Sequence, residues 1–366
     1  MDGFWKHQIS KIVDFITRQR RPAYILLGFG ASILATKNLI NYAIAATFSW
    51  GTLSIGTDNK NVLADYLVPI IGTLLCFSGL AIVIIDEFQA YKNNSRKRII
   101  LMKGDGLRTT VGSGLEALVR SSLKGTIISL PIDITQRFRD GYVIEPERTF
   151  TNIVLPTKTL LGKLLENMSP EDVQIVYGGF LPVPFTFFLG NVLDDKGNIT
   201  VYDWDRESES WKIISDKPHD DDDDDGNFIH ELVRDGDINE TVLIISCSYL
   251  VNLEKVMKSF KGLTIEHLKL ENISFNNHWS LAKQSRLALQ FAEKIKSLSD
   301  KGVKTIHLIL AAQSSVVLNL GRRYDSRNMP ELIVYQHERT NDEPYPWGVW
   351  ALSHGREESG CVIKNN

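Results

Sequence analysis

Cysteine is scarce in this chain of 366 residues, and Cys76, Cys247 and Cys361 lie far apart. None belongs to a CxxC pair or a Cys/His cluster, which argues against a structural zinc site and fits a reducing compartment. An excess of charge of either sign is missing too, with 41 Lys and Arg against 44 Asp and Glu and a formal net charge of -3. A polymer of DNA or RNA is therefore not an expected partner, and any nucleotide ligand should be small and held in a pocket. Catalytic signatures are also wanting: there is no HExxH, no GxSxG elbow, no P-loop, and no cysteine with an evident histidine partner. Gly28-Phe29-Gly30 lacks the third glycine of a dinucleotide fingerprint, and Gly104 to Gly114 lacks the Lys-Ser/Thr ending of a phosphate loop. The expectation is a protein without catalytic residues, cofactor or metal. No cleavable signal peptide is evident, because the first apolar run begins only after Arg21.

What the chain does have is a long uncharged run. Tyr66 to Ile85 lies between Asp65 and Asp86 and is long enough to cross about 30 Å of hydrocarbon. Ala23 to Trp50 is also apolar, though interrupted by Lys37, Asn38 and Asn41, and pairs with it as a hairpin joined around Gly51 to Asn61. A buried helix of a soluble domain is the alternative for this first run. Lys6, Lys11, Arg18, Arg20 and Arg21 precede the hairpin and Lys92, Arg96, Lys97 and Arg98 follow it, whereas the connecting loop offers Lys60. Both termini are therefore expected on the cytoplasmic side. Phe4, Trp5, Ile9, Ile12, Val13 and Ile16 recur at helical spacing, as in a helix lying on an anionic leaflet or one packed on the soluble domain. Lys37 either snorkels to the nearer surface or lines an aqueous path in an oligomer with Asn41 and Ala45, on a face that includes Gly30. Gly28, Ser32 and Thr36 make a separate small-residue ridge suited to close helix contact.

Beyond a polar, basic stretch the pattern alternates strands and helices, which indicates a mostly parallel sheet covered on both sides. The resulting division is an amphipathic segment at 1–22, a transmembrane hairpin at 23–88, a connector at 89–114 and an α/β domain at 115–366. Its halves span about 115–218 and 227–366 around an acidic loop at 219–226. Asp220 to Asp225 reads as a solvated loop, because a bare aspartate run does not space ligands around one ion.

The two halves contain a repeat. Thr305 to Ala312 is a short apolar strand, QSSVVLNLGRR a short helix, and LIVYQH a returning strand; Gln174 to Gly179, the segment through Leu189-Gly190, and ITVYDW (Ile199 to Trp204) run the same course. Leu189-Gly190 and Leu320-Gly321 share one register, and Tyr202 then matches Tyr335 after a small insertion. Such a duplication predicts two similar α/β halves facing each other.

HLILAAQSSVVLNLGRR followed by LIVYQH resembles the C-terminal signature of the SAVED domain, most clearly over Val303 to His337. What the resemblance implies is two fused CARF-like, Rossmann-like halves that bind a cyclic oligonucleotide second messenger in bacterial antiphage (CBASS) signalling. With the membrane hairpin it implies an inner-membrane effector: a cyclic tri- or tetranucleotide drives homo-oligomer assembly, and the hairpins permeabilise the lipid bilayer, causing abortive infection. A membrane-tethered enzyme that degrades cyclic oligonucleotides, and an inactive membrane adaptor, stand as alternatives.

In open α/β sheets ligands sit outside the carboxyl ends of the strands. That rule selects Ser246, Ser248 and Tyr249 after one strand, Gln313, Ser314 and Ser315 after another, and Gly179, Phe180 and Pro182 in the first copy. Tyr335 and Trp204 are candidates for stacking on bases or for core packing. Arg322 and Arg323 are candidates for phosphate or for the C-terminal helix dipole. Ser314 and Ser315 are also natural helix N-caps, and His307, in mid-strand, reads as a core histidine.

Overall fold

A computed structural model of the chain describes residues 21–36, 44–48, 51–55, 62–107, 114–194, 196–216, 226–339, 343–351, 360 and 362–364. The segment 1–20, Lys37, Asn41 and the run Asp220 to Asp225 lie outside the described residues. The chain divides into two units, Met1–Ser95 and Arg96–Asn366.

The first unit holds α1 (Arg21–Thr36), the antiparallel pair β1 (Ile44–Phe48) and β2 (Gly51–Ile55), and α2 (Val62–Arg96). Of the first apolar run, read as a span over Ala23 to Trp50, the described residues form a helix up to Thr36 and a strand at Ile44–Phe48. At 1.5 Å per residue the 16 described helical residues rise about 24 Å. β-branched and aromatic residues, Ile44, Thr47 and Phe48, favour the strand that follows. Pro69–Gln89, with mean hydropathy 2.1, is the one helix among the described residues long and apolar enough to cross a membrane. α1 and α2 pack antiparallel through small residues. A Cβ added to Gly30 would lie 2.7 Å from Gly72 O, and one added to Gly79 would lie 2.7 Å from Ala23 O. Gly28, of the predicted small-residue ridge, has nothing within 4 Å of its Cβ position, so the close contact between these two helices is made by the face carrying Gly30.

In the second unit the expected fold class holds. The first half contains β3 (Arg98–Asp105), α3 (Leu115–Ser122), β4 (Thr126–Asp133), the small pair β5 (Phe138–Arg139) and β6 (Tyr142–Val143), α4 (Pro146–Thr149), α5 (Pro156–Leu165), β7 (Val173–Gly179), α6 (Val183–Val192), β8 (Ile199–Asp205) and β9 (Ser210–Ile213). The second contains β10 (Phe228–Arg234), β11 (Asp237–Ser246), α7 (Leu253–Ser259), β12 (Leu263–Leu270), α8 (Leu281–Asp300), β13 (Thr305–Ala311), α9 (Ser314–Arg323), β14 (Glu331–Gln336), β15 (Trp347–Trp350) and β16 (Val362–Lys364). The sheet orders are β4-β3-β7-β8-β9 and β10-β12-β11-β13-β14-β15-β16. In each, four parallel strands run in the order second, first, third, fourth, and an antiparallel strand follows. The halves are thus copies of one doubly wound unit, with β10 and β16 added at the edges of the second.

One boundary changes. The residues read as a connector at 89–114 contain β3, which pairs with β4 on one side and β7 on the other. Ile99, Ile100, Leu101 and Met102 are buried there, and the charges of KNNSRKR and KGDG on either side conceal this short apolar run in the sequence. The first half therefore begins at Arg98 and not at 115. α6 is buried on all sides from Pro184 to Asn191 and packs on α9, so the two repeat helices form the seam between the halves.

Candidate ligand site between the two halves

The carboxyl ends of β7 and β8 in one half and of β11 and β13 in the other converge on a cavity of about 390 Å³. Leu107, Phe180, Leu181 and Trp204 form its apolar wall from the first half. Phe180 is fixed at both backbone ends: its N–H donates to Gly104 O (2.9 Å) and its carbonyl accepts from Leu107 N–H (2.8 Å). A Cβ on Gly179 would lie 2.7 Å from the Cα of Gly104, so a glycine there lets the strand ends draw together. The Phe180 and Trp204 rings meet edge to face with centroids 5.9 Å apart. From the second half come Ser248, Tyr249, Phe275, Asn276, Gln313 and Ser314. Gln313 Nε2 donates to Ser274 O (3.1 Å), and its Oε1 has no hydrogen-bond partner among the described residues. Tyr177, buried beneath Ser314 and Thr186, has its hydroxyl pushed up to about 12 by burial.

At each helix start beside the cavity one N–H is taken by a side chain of the other half. Asp203 at the end of β8 is buried, and its Oδ2 accepts from Ser315 N–H (2.9 Å) in the first turn of α9. Gln336 at the end of β14 does the same for the other helix, its Oε1 accepting from Val183 N–H (3.1 Å) at the start of α6. Asp203 and Gln336 follow the matched tyrosines Tyr202 and Tyr335, so each copy of the repeat caps the helix of the other. Pro184 has no N–H to offer, which moves the contact to Val183. His278 Nε2 stands 3.6 Å from Asp203 Oδ2.

Two side-chain links cross the cavity's rim. Arg206 Nη1 donates to Tyr249 Oη (2.7 Å), and Asn276 Nδ2 donates to Glu207 Oε1 (2.7 Å). Both depart from the β8–β9 turn, where burial of Asp205 is outweighed by hydrogen bonds from Lys212, Ser208 and the Glu207 backbone, which hold its carboxyl at about 2.

Two family models match this chain, and their boundary falls within the first half. A family model described as SAVED, the SMODS-associated and fused to various effectors sensor domain, matches residues 157–350, more than half of the chain. The chain belongs to the SAVED family. A second model, described as the SAVED-fused 2TM effector domain, matches residues 4–150, so a SAVED sensor is joined here to an N-terminal transmembrane effector region. Solved SAVED structures match at low identity. The Cap4 SAVED/CARF-domain containing receptor of Acinetobacter baumannii with the cyclic trinucleotide 2'3'3'-cAAA is 12% identical, with a TM-score of 0.46 over 79% of this chain and 60% of that one. The Cap4 receptor of Moraxella osloensis is 13% identical, with a TM-score of 0.40 over 79% of this chain and 59% of that one. This chain thus spans about 60% of the length of those receptors. No curated protein matches.

Within the SAVED domain the structure brings six of the sequence-selected residues together: Ser248, Tyr249, Gln313, Ser314, Phe180 and Trp204 all line the cavity. The others are elsewhere. Gly179 and Pro182 sit one residue outside the lining at a strand end and a helix cap, and Ser315 is fully buried with its backbone taken by Asp203. Tyr335 is on the opposite face of β14 from Gln336, because neighbouring strand residues alternate, and its hydroxyl meets His307 Nδ1 (3.0 Å). His307 is the satisfied core histidine expected, with Nε2 on Glu240 Oε2 (3.0 Å). Arg322 and Arg323 are at the far end of α9, about 12 Å along its axis from Ser314 at 1.5 Å per residue. Arg322 Nη1 donates to Asn319 Oδ1 (3.2 Å). Sequence reasoning missed Asp203, Arg206 and Asn276. The match of Asp203 to Gln336 in the repeat was a usable signal for the first; Arg206, in a polar turn, offered none.

Proposed function

We propose that this SAVED protein is a non-enzymatic membrane effector of bacterial antiphage signalling, whose cavity binds a cyclic tri- or tetranucleotide. The observation that carries the reading is the cavity itself. It lies at the strand ends of two fused doubly wound halves and has an aromatic wall and a polar floor, on the same chain as a span able to cross a bilayer. Its volume is at the lower end of the roughly 300–1,000 Å³ of small-molecule pockets, which suits a small ligand and not a polymer. Binding shifts the SAVED domain into a homo-oligomer, and the assembled hairpins permeabilise the inner membrane. In this reading both termini are cytoplasmic, and Lys37 and Asn41 face protein or water within the assembled spans.

A thermal-shift panel of the detergent-solubilised full chain against cyclic di-, tri- and tetranucleotides tests ligand class, since specific binding raises the melting temperature by mass action. The effector step is read as dye or ion release from liposomes of bacterial lipid on adding the stabilising nucleotide. Release with the nucleotide recovered intact is the expected result. Ligand turnover would make the protein an enzyme, and binding without release would make it an adaptor. Reporter tags at Met1 and Asn366 should respond from the cytoplasm and one near Asp58 from outside. Lys37→Leu should keep insertion and binding while changing the rate or charge selectivity of release.

A further inference from the structure

We infer that the cavity takes one nucleobase of the ligand inward, against Phe180 and Trp204, and holds the adjoining phosphate at its rim on Arg206, which gives up Tyr249 to do so. This rests on the ligand class proposed above. The volume of 390 Å³ is room for one nucleoside-sized unit and not for a whole ring, so most of a cyclic oligonucleotide must remain over the opening.

Which end enters is decided by charge. The deep wall carries the buried carboxylate of Asp203, and a phosphate beside it would set two negative charges together where water cannot screen them. At each helix start, where phosphate is ordinarily attracted, one N–H is already used by the other half. Ser315 N–H is committed to Asp203 and Val183 N–H to Gln336, and Pro184 has none. A base, by contrast, carries no charge, presents a π face to the aromatic wall, and offers N–H groups to acceptors such as Gln313 Oε1, which lacks a partner among the described residues.

At the rim the chemistry reverses. Among the described residues lining the cavity Arg206 is the only Lys or Arg, and it is exposed. Its partner there, Tyr249 Oη, is a neutral acceptor on a side chain that is itself 51% exposed. Exchanging that hydroxyl for a phosphate oxygen replaces a neutral acceptor by an anionic one, so the guanidinium gains an ion pair. Tyr249 belongs to the second half and Arg206 to the first, so the exchange also converts a contact between the halves into a contact with the ligand.

The test is titration calorimetry on the solubilised full chain, using each cyclic nucleotide that stabilises it in the panel. Arg206→Gln, at an exposed position, should melt like wild type, bind about ten- to a hundredfold more weakly, and lose part of the salt dependence of binding. Tyr249→Phe, which removes the competing acceptor, should bind as tightly as wild type or tighter. Wild-type affinity in Arg206→Gln, or a tenfold gain in Asp203→Asn as expected if phosphate lay inward, would overturn the inference while leaving the ligand class intact. Wild-type protein that binds no cyclic nucleotide overturns both.

Discussion

Gly190 and Gly321 meet where α6 crosses α9, and each occupies a place where the other helix leaves no room for a side chain. A Cβ on Gly190 would lie 2.2 Å from Leu318 O, and a Cβ on Gly321 would lie 2.3 Å from Phe187 O. Leu318 and Phe187 each precede a glycine by three residues, so the crossing is a local two-fold relating one copy of the repeat to the other. The Leu-Gly register shared by the copies is thus the point at which they touch.

Because the obstructing atoms are backbone carbonyls and cannot rotate away, Gly190→Ala and Gly321→Ala should each destabilise the SAVED domain by about 1–3 kcal/mol or more. Gly162→Ala is the control. It lies in α5 with nothing within 4 Å of its Cβ position and should be neutral or stabilise by up to about 1 kcal/mol. Melting curves of the three variants decide it, and a Gly190→Ala protein as stable as wild type would mean the helices sit further apart.

The reciprocal caps carry unequal charge, and their removal should have unequal cost. Asp203→Ala strips a carboxylate from the start of α9 and leaves Ser315 N–H buried and unpaired, which should cost about 2–3 kcal/mol. Gln336→Ala removes a neutral acceptor and should cost about 1 kcal/mol. Hydrogen exchange reports each locally: Ser315 amide protection should fall in the first variant and Val183 protection in the second.

Acid should loosen the SAVED domain before it protonates the carboxylates. Burial lowers the affinity of His307, His267 and His337 for a proton, below the ordinary value of 6.5, with Glu240 partly opposing this at His307. For a base depressed in the fold, the contribution to stability is complete above 6.5 and declines as pH falls from 6.5 toward the folded value, because the unfolded chain takes up the proton first. The melting temperature should therefore drop between pH 7.5 and 5.5. His267 Nε2 is hydrogen-bonded to Ser246 Oγ (2.9 Å), so His267→Gln keeps an amide group near that hydroxyl and should show a smaller drop. A melting temperature flat over that interval would rule these histidines out as neutral core groups.

The antiparallel contact of α1 and α2 can be read by cross-linking in membranes. Cys76 Sγ lies 3.9 Å from Leu27 O, so Leu27→Cys in a chain with Cys247 and Cys361 replaced by Ser should form a disulfide on mild oxidation. Adding Gly30→Leu should suppress it, since that Cβ position is 2.8 Å from Cys76 N, while Gly28→Leu should not. Equal cross-linking in both would place the contact on another face.

Much of this protein is written in local pattern. The apolar run of α2, the strand of β12 and the helix of α8 follow from the chemistry of adjacent residues, and the duplicated Leu-Gly register announces two copies of one unit. The strand-end rule then reaches Ser248, Gln313 and Phe180 because such ends follow from strand boundaries alone. Three things were decided only in three dimensions. β3 is hidden by flanking charge and becomes the centre of a sheet because β4 and β7 bury it from both sides. Arg322 and Tyr335 leave the site because helix rise and strand alternation carry them away from residues close in sequence. Asp203 and Arg206 become site residues through Ser315 and Tyr249, partners in the opposite half. Residue spacing encodes contacts within a helix or strand; contacts between halves arise only when burial of α6 against α9 brings the two sheets together.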